Sequence, residues 1–236
     1  MANNIESIGI IGRGPFAQLL AELAPKDVKV QMIGSKAGDD EFLEVATSDV
    51  VILSIPLAAI QQVLDRLKPV LPDSSLLVDV CSVKVRPAEL IHATFPDHPN
   101  LLITHPLFGP QTFHNHRTPH KLIVTQQVGQ LAKLVVQFCE NALSLDIVRM
   151  SDEEHDKHMA NVHALTMFIG RACSLLDVAS EPIRTPSFQK LVDLEALDRG
   201  HSEELFLTIE TGNPFARAAR QKLLNTLSII ERELEV

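Results

Sequence analysis

Three short stretches of the 236-residue chain carry the groups best suited to chemistry, and each follows an apolar run. Gly12-Arg13-Gly14-Pro15-Phe16-Ala17 follows Ile8-Gly9-Ile10-Ile11, Ser82 and Lys84 close Val78-Asp79-Val80-Cys81-Ser82-Val83-Lys84, and His105 stands where Leu101-Leu102-Ile103-Thr104 ends. The first stretch fits G-x-G-x-x-G/A. In that pattern the first glycine makes a tight turn, the second lets the backbone approach a pyrophosphate, and the third small residue lets helix and strand pack. Pro15 suits a first helical turn, and the helix N-terminus that follows is a phosphate site. His105 is an ionisable imidazole whose exit, Pro106-Leu107-Phe108-Gly109-Pro110, is stiffened by two prolines. Alone, it reads equally well as a hydrogen-bonded imidazole at a strand end. Ligands of open α/β sheets bind outside the carboxyl ends of the strands, so Ser82, Lys84 and His105 are expected to converge near a nicotinamide ring.

The second apolar run, Val28 to Ile33, leads into Gly34-Ser35-Lys36. NAD-type sites usually carry Asp or Glu there, about 20 residues beyond the glycines, to bind the ribose 2′-hydroxyl. A hydroxyl and an ammonium stand in its place, with Arg13 projecting from the glycine loop. The set of Ser35, Lys36 and Arg13 suits a 2′-phosphate, so NADP is the expected cofactor and NAD the alternative. The bland reading makes Lys36 and Arg13 solvated charges and gives the ribose to Asp39 or Asp40. Gly12, Arg13, Gly14, Pro15, Phe16, Ser35, Lys36, Ser54 and Pro56 form the expected cofactor-binding set.

The elements that must position these groups follow from the pattern of apolar runs. Strand-like runs at 8–11, 28–33, 50–54, 76–80, 101–104 and 122–124 alternate with helix-compatible stretches to about Met150, the rhythm of a Rossmann-type, doubly wound, mostly parallel α/β sheet. Beyond it the β-branched runs stop. Ser151-Asp152-Glu153-Glu154 reads as a capping box, and Thr185-Pro186 and Asn213-Pro214 each read as an N-cap before proline. The expectation is a dinucleotide-binding domain over 1–150 and a smaller all-helical domain over 151–236, with about four helices, for substrate binding and dimerisation. Leu223, Leu224, Leu227, Ile230 and Leu234 recur at helical spacing on the last helix and point to a homodimer.

Composition excludes several classes. A formal charge of −9 without a Lys/Arg run argues against nucleic acid, and no apolar segment approaches a bilayer span, so neither nucleic acid nor membrane is an expected partner. The opening Met-Ala-Asn-Asn-Ile-Glu lacks the features of a secretory leader, and a cytoplasmic protein is expected. Cys81, Cys139 and Cys173 lie far apart among apolar neighbours and read as reduced core thiols. His114-Asn115-His116 with His120 invites a metal reading, but no carboxylate or cysteine partner accompanies it, and no metal is expected.

Taken together, Gly12 to Ala17, "VDVCSVK" (78–84), "THPLFGP" (104–110), "MSDEEHDKHMA" (150–160) and "SEPIRTPSF" (180–188) resemble, in order, the prephenate and arogenate dehydrogenases of tyrosine biosynthesis. The resemblance implies oxidative decarboxylation of a cyclohexadienol. Hydride leaves the carbon bearing the hydroxyl for nicotinamide C4, and loss of the ring carboxylate as CO2 makes the ring aromatic. It gives His105 the role of accepting the hydroxyl proton, places Ser82 between nicotinamide and substrate, and keeps Lys84 near the site as a cation. It also makes His155 a substrate contact, with Met159 and Val162 expected on the same helix face. His163 stands where relatives commonly have Gln, Met167 where they have a second His, and Asp193 where some carry a carboxylate-binding Arg. Arg184, beside Thr185, is therefore the candidate to grip the substrate carboxylate, with Thr185, His163 and Gln111 completing the substrate set. Asp193 equally suits the ammonium of arogenate. No appended regulatory or chorismate mutase module is expected. The alternatives are a non-catalytic NADP-binding protein of the same fold and a dehydrogenase of β-hydroxy acids or imines.

Overall fold

The apolar runs become strands because each can be buried on both faces of a sheet. In the computed structural model, which describes residues 5–114 and 119–235, seven strands line up in the order β2-β1-β3-β4-β5-β6-β7. They are β1 (Ser7–Ile11), β2 (Lys29–Ile33), β3 (Val50–Leu53), β4 (Leu76–Asp79), β5 (Leu101–Pro106), β6 (Lys121–Val128) and β7 (Asp146–Arg149). The first five pair in parallel, β6 pairs antiparallel to β5, and β7 runs parallel to β6. The Rossmann-type sheet is thus present with one edge reversed. Between β1 and β3 the chain changes direction of winding, the switch point outside whose strand ends ligands of open α/β sheets bind.

Helices α1 (Pro15–Leu23), α2 (Asp39–Ala46), α3 (Leu57–Leu67), α4 (Val85–Thr94), the short α5 (Pro110–Phe113) and α6 (Gly129–Asn141) connect the strands. Period-two alternation divides the core. Val51, Leu53, Leu77, Leu101 and Ile103 join Ile60, Leu64 and Ile91 in one buried cluster, while Val50, Leu76, Val78 and Leu102 join Leu131 and Val136 in another. The strand β7 lies outside the expected runs because Asp146-Ile147-Val148-Arg149 is a sheet edge with charged, exposed ends.

The chain divides into two compact units, Met1–His155 and Asp156–Val236. The division falls inside α7 (Asp152–Met159), a few residues past the change in sequence pattern at Met150. The expected capping box forms: Ser151 N donates to Glu154 Oε2 at 2.9 Å, and Glu154 N donates to Ser151 Oγ at 3.2 Å.

The second unit continues through a π-turn (Ala160–Ala164) into α8 (Leu165–Leu176), then α9 (Pro186–Arg199), α10 (Glu203–Gly212) and α11 (Ala216–Leu234). The helical stretch therefore holds five α-helices rather than about four, because Ser202 caps an extra one by accepting from Leu205 N. Thr185 caps α9 by accepting from Phe188 N at 3.1 Å. Asn213-Pro214 does not start a helix directly: Asn213 Oδ1 accepts from Phe215 N, and α11 begins at Ala216. The π-turn also alters a face. Val162, which regular spacing would place with His155 and Met159, is 61% exposed, whereas Ala160, Ala164 and Met167 are buried.

Asn213 ties this unit together from the inside. Its buried amide donates to Asp156 O at 2.8 Å while its oxygen holds Phe215 N, so one side chain joins α7 to the start of α11. Asn213→Ala breaks both bonds and leaves buried polar groups unpaired, at a cost of about 1–3 kcal/mol. A fall in Tm of several degrees by calorimetry is the expected result; an unchanged Tm would show that the junction does not depend on this amide.

Candidate active site

Gly12 ends β1 with φ +135, a conformation that L side chains rarely adopt, and a Cβ there would lie 2.0 Å from Ser54 O. Its amide donates to Ile33 O at 2.8 Å, and Ser54 N donates to Ile11 O at 2.9 Å, so the ends of β1, β2 and β3 are laced together at the crevice. Gly14 differs. A Cβ built on it meets no protein atom within 4 Å, so nothing in the chain itself demands glycine there. It is the N-cap of α1, and a side chain would fill the space in front of the first-turn amides, which have no acceptors within their own helix. That space and those donors fit the pyrophosphate of a dinucleotide.

The surrounding expected cofactor residues are distributed as follows. Pro15 occupies the first helical position, and Phe16 packs against Phe108 with ring centroids 6.3 Å apart. That contact links the glycine loop to the exit from β5. Arg13 lies across Gly34, with Nε and Nη2 donating to Met32 O at 3.3 and 3.1 Å. Ser35 and Lys36 are exposed at the end of β2, Ser54 is partly buried and Pro56 exposed at the end of β3. Of the alternative ribose acids, Asp40 is exposed and Asp39 pairs with Arg66 at 3.0 Å.

The end of β5 holds the second part. His105 is 4% exposed, and its Nδ1 lies 2.8 Å from Nε2 of His155, which is wholly buried in the first turns of α7. The sequence expected His155 to touch substrate; the structure sets it directly against His105. Ser82 is partly buried in the loop after β4.

Lys84, expected near the site as a cation, is wholly buried, with Nζ bonded to Asp79 Oδ2 and to the carbonyl of Thr104, the residue before His105. Thr104 Oγ1 donates to Asp79 O at 2.9 Å, and Cys81 N to Asp79 Oδ1 at 3.2 Å. Burial pushes the Asp79 carboxyl upward, against the opposing pull of Lys84. The cation thus clamps the ends of β4 and β5 from beneath. Asp79 escaped the sequence reading, although an acid inside the run Leu76-Leu77-Val78-Asp79-Val80 signals a buried charge in need of a partner. Cys81, beside this pair, is no nucleophile: burial, with the Asp79 charge adding to it, pushes its thiol up to about 12.

Other expected residues are engaged locally. Gln111 is exposed on α5. His120 stacks on Phe113 with centroids 4.9 Å apart and its Nε2 donates to Phe113 O at 2.9 Å, and His114 lies 3.4 Å from Glu22; Asn115 and His116 fall outside the described residues. Among the described residues no three His, Cys, Asp or Glu side chains come together as a metal site. In the second unit, Arg184 directs Nε to Glu181 O and Nη2 to Ala179 O, so its own loop accounts for these donors, and Thr185 is occupied as the cap of α9. His163 lies in the π-turn and is partly buried. Met167 is a core residue, and Asp193 is exposed on α9, accepting from Gln189 Nε2 at 2.9 Å.

A glycine loop at the sheet's switch point, opening onto a helix N-terminus, defines a Rossmann-type dinucleotide-binding protein. Residues 21–129 match the family described as "Prephenate dehydrogenase, nucleotide-binding domain". The chain is 28% identical to arogenate dehydrogenase 1 of Arabidopsis thaliana over 249 residues, covering 95% of this chain and 37% of that protein. It is 31% identical to arogenate dehydrogenase 2 of the same plant over 195 residues, covering 79% and 54%. It thus spans about half or less of the length of these relatives. Prephenate dehydrogenase of A. aeolicus, solved with hydroxyphenyl propionate and NAD+, superposes with a TM-score of 0.72 at 19% identity, covering 100% of this chain and 94% of that one, a likeness of fold. Synechocystis arogenate dehydrogenase gives 0.64 at 19% identity, covering 97% and 93%. The family model and these relatives together support a likeness to the prephenate/arogenate dehydrogenases.

The clamp can be tested apart from any activity. Lys84→Met leaves the Asp79 carboxylate buried without its cation and is expected to destabilise the protein by about 3–5 kcal/mol in urea unfolding. The double variant Lys84→Met/Asp79→Leu should recover much of that loss. A single variant as stable as wild type would show that the pair does not hold the strand ends.

Proposed function

We propose that this protein is an NAD(P)-dependent dehydrogenase that oxidatively decarboxylates prephenate to 4-hydroxyphenylpyruvate, or arogenate to tyrosine. The observation that carries the reading is His105: a nearly buried imidazole at the carboxyl end of β5, on the same sheet edge as the Gly12 loop and Ser82. A nicotinamide dinucleotide held by the Gly12–Ala17 loop would supply the hydride acceptor. The chain's own part is to bind, orient and move one proton. His105 accepts the hydroxyl proton of the cyclohexadienol, the task of a general base. Ser82 orders the reacting groups, and the Asp79–Lys84 pair fixes the backbone on which His105 stands. The family's named activities support the same reading.

NADP is the cofactor we favour, supported by Ser35 and Lys36, exposed at the end of β2 where an acid would serve NAD. A homodimer formed through the second unit is supported by the exposed Leu224, Leu227 and Ile230 of α11.

Mixing the protein with prephenate or arogenate and each of NAD and NADP, read at the absorbance of reduced nicotinamide, tests the reading. Turnover with one pair is expected, and cofactor binding without turnover in any of the combinations would overturn it. His105→Asn should retain cofactor affinity and lose about 10²-fold or more in kcat, the scale of a general base. Lys36→Asp should weaken NADP relative to NAD; equal loss for both would remove Lys36 from 2′-phosphate recognition.

A further inference from the structure

The contact between His105 and His155 holds more information than its length. Nδ1 of His105 and Nε2 of His155 are 2.8 Å apart, with ring centroids at 5.0 Å and planes at 74°. Two ring nitrogens at that distance share one proton: two lone pairs would repel, and two N–H groups would collide. Whichever ring carries that proton, its position sets the tautomer of both neutral imidazoles.

We propose that His155 is a positioning residue, which accepts the Nδ1 proton of His105 and so holds His105 in the tautomer whose Nε2 carries the lone pair. This rests on the general-base reading of His105 given above, and deepens it by naming the nitrogen that receives the proton. When the hydroxyl proton arrives at Nε2, His105 becomes doubly protonated and keeps its Nδ1–H donated to His155. His155 stays neutral throughout, acting as an acceptor that never changes its own proton count.

Three features favour a fixed arrangement over an exchanging one. Both rings are buried, at 4% and 0% exposure, so solvent has little access to compete for the shared proton. His155 is anchored through its backbone, its N donating to Ser151 O at 3.0 Å inside the turn that the Ser151–Glu154 capping box fixes. His105 is anchored from the other side, because Lys84 holds the Thr104 carbonyl immediately before it. The same contact also explains why a histidine sits at 155 without exposure: in this position its use is toward another side chain of the protein.

Histidine-selective ¹⁵N NMR of the protein reads the tautomer directly, with the His105→Asn spectrum identifying the His105 signals. Wild type should show a protonated Nδ1 and an unprotonated Nε2 for His105. His155→Gln, whose amide oxygen can accept the same proton, should keep that pattern, while His155→Leu should lose it. In the same series kcat should fall about tenfold or more for His155→Leu, and less for His155→Gln, with KM for the cofactor little changed. A wild-type His105 protonated at Nε2 would overturn the proposal, as would a His155→Leu protein with unaltered tautomer and kcat. Should His155→Leu not fold, wild type and His155→Gln decide: a protonated Nδ1 in both sustains the assignment, and its absence from either overturns it. The tautomer is legible whether or not the protein turns over substrate, so failure here and failure of the dehydrogenase reading are distinct results.

Discussion

An ammonium group sealed inside a protein must be held on several sides, and Lys84 is held by the Asp79 carboxylate and the Thr104 carbonyl. Desolvating two charges costs several kcal/mol per ion, which the attraction offsets only with close geometry and further hydrogen bonds. Those further bonds are present: Thr104 Oγ1 to Asp79 O, and Cys81 N to Asp79 Oδ1. The electrostatic demand of one buried cation therefore fixes the last residues of β4, the loop that bears Ser82, and the last residues of β5. His105 follows Thr104 directly, so the imidazole inherits a backbone position set by charge balance below it.

The cofactor side depends on a different constraint, that of close backbone approach. At Gly12 the chain passes so near the Ser54 carbonyl that no side chain fits, and at Gly14 it leaves room for something other than protein. The first glycine is required by the fold; at the second the fold leaves open space in front of a helix N-terminus. Phe16 against Phe108 joins this loop to the stretch after β5, so the two halves of the crevice share an aromatic contact as well as a sheet.

Much of this architecture was legible in the residues. The parallel strands announce themselves because strands buried on both faces are continuous apolar runs, and the glycine loop is legible because each of its small residues has a steric reason. The edge strand Asp146–Arg149 gives no such signal, being short and half exposed. The π-turn has no residue signature at all; its effect shows only in which residues it leaves exposed, as with Val162. At the site, His105 and Ser82 stand out by position, but the company they keep does not. Pairings between Lys84 and Asp79 and between His105 and His155 are made by chain paths that bring distant residues together, and spacing along the sequence cannot report them. The residues expected to hold the substrate carboxylate follow from residue type, and type does not say where a guanidinium directs its donors: Nε and Nη2 of Arg184 reach carbonyls of its own loop.

The wide turn at Ala160–Ala164 has a consequence for how chains of this kind can vary. Such a turn accommodates one residue more than a regular helical turn, so its length matters independently of its composition. Because the wide turn already takes up one extra residue, removing one from it would let the helix close regularly while the side chains on either side keep nearly their facing; the same deletion from a regular stretch of helix would rotate them by about 100°. Substitutions within the segment change a surface, whereas a single-codon deletion would remove the bulge itself. Relatives should therefore gain or lose one residue here more readily than in the regular turns of α8.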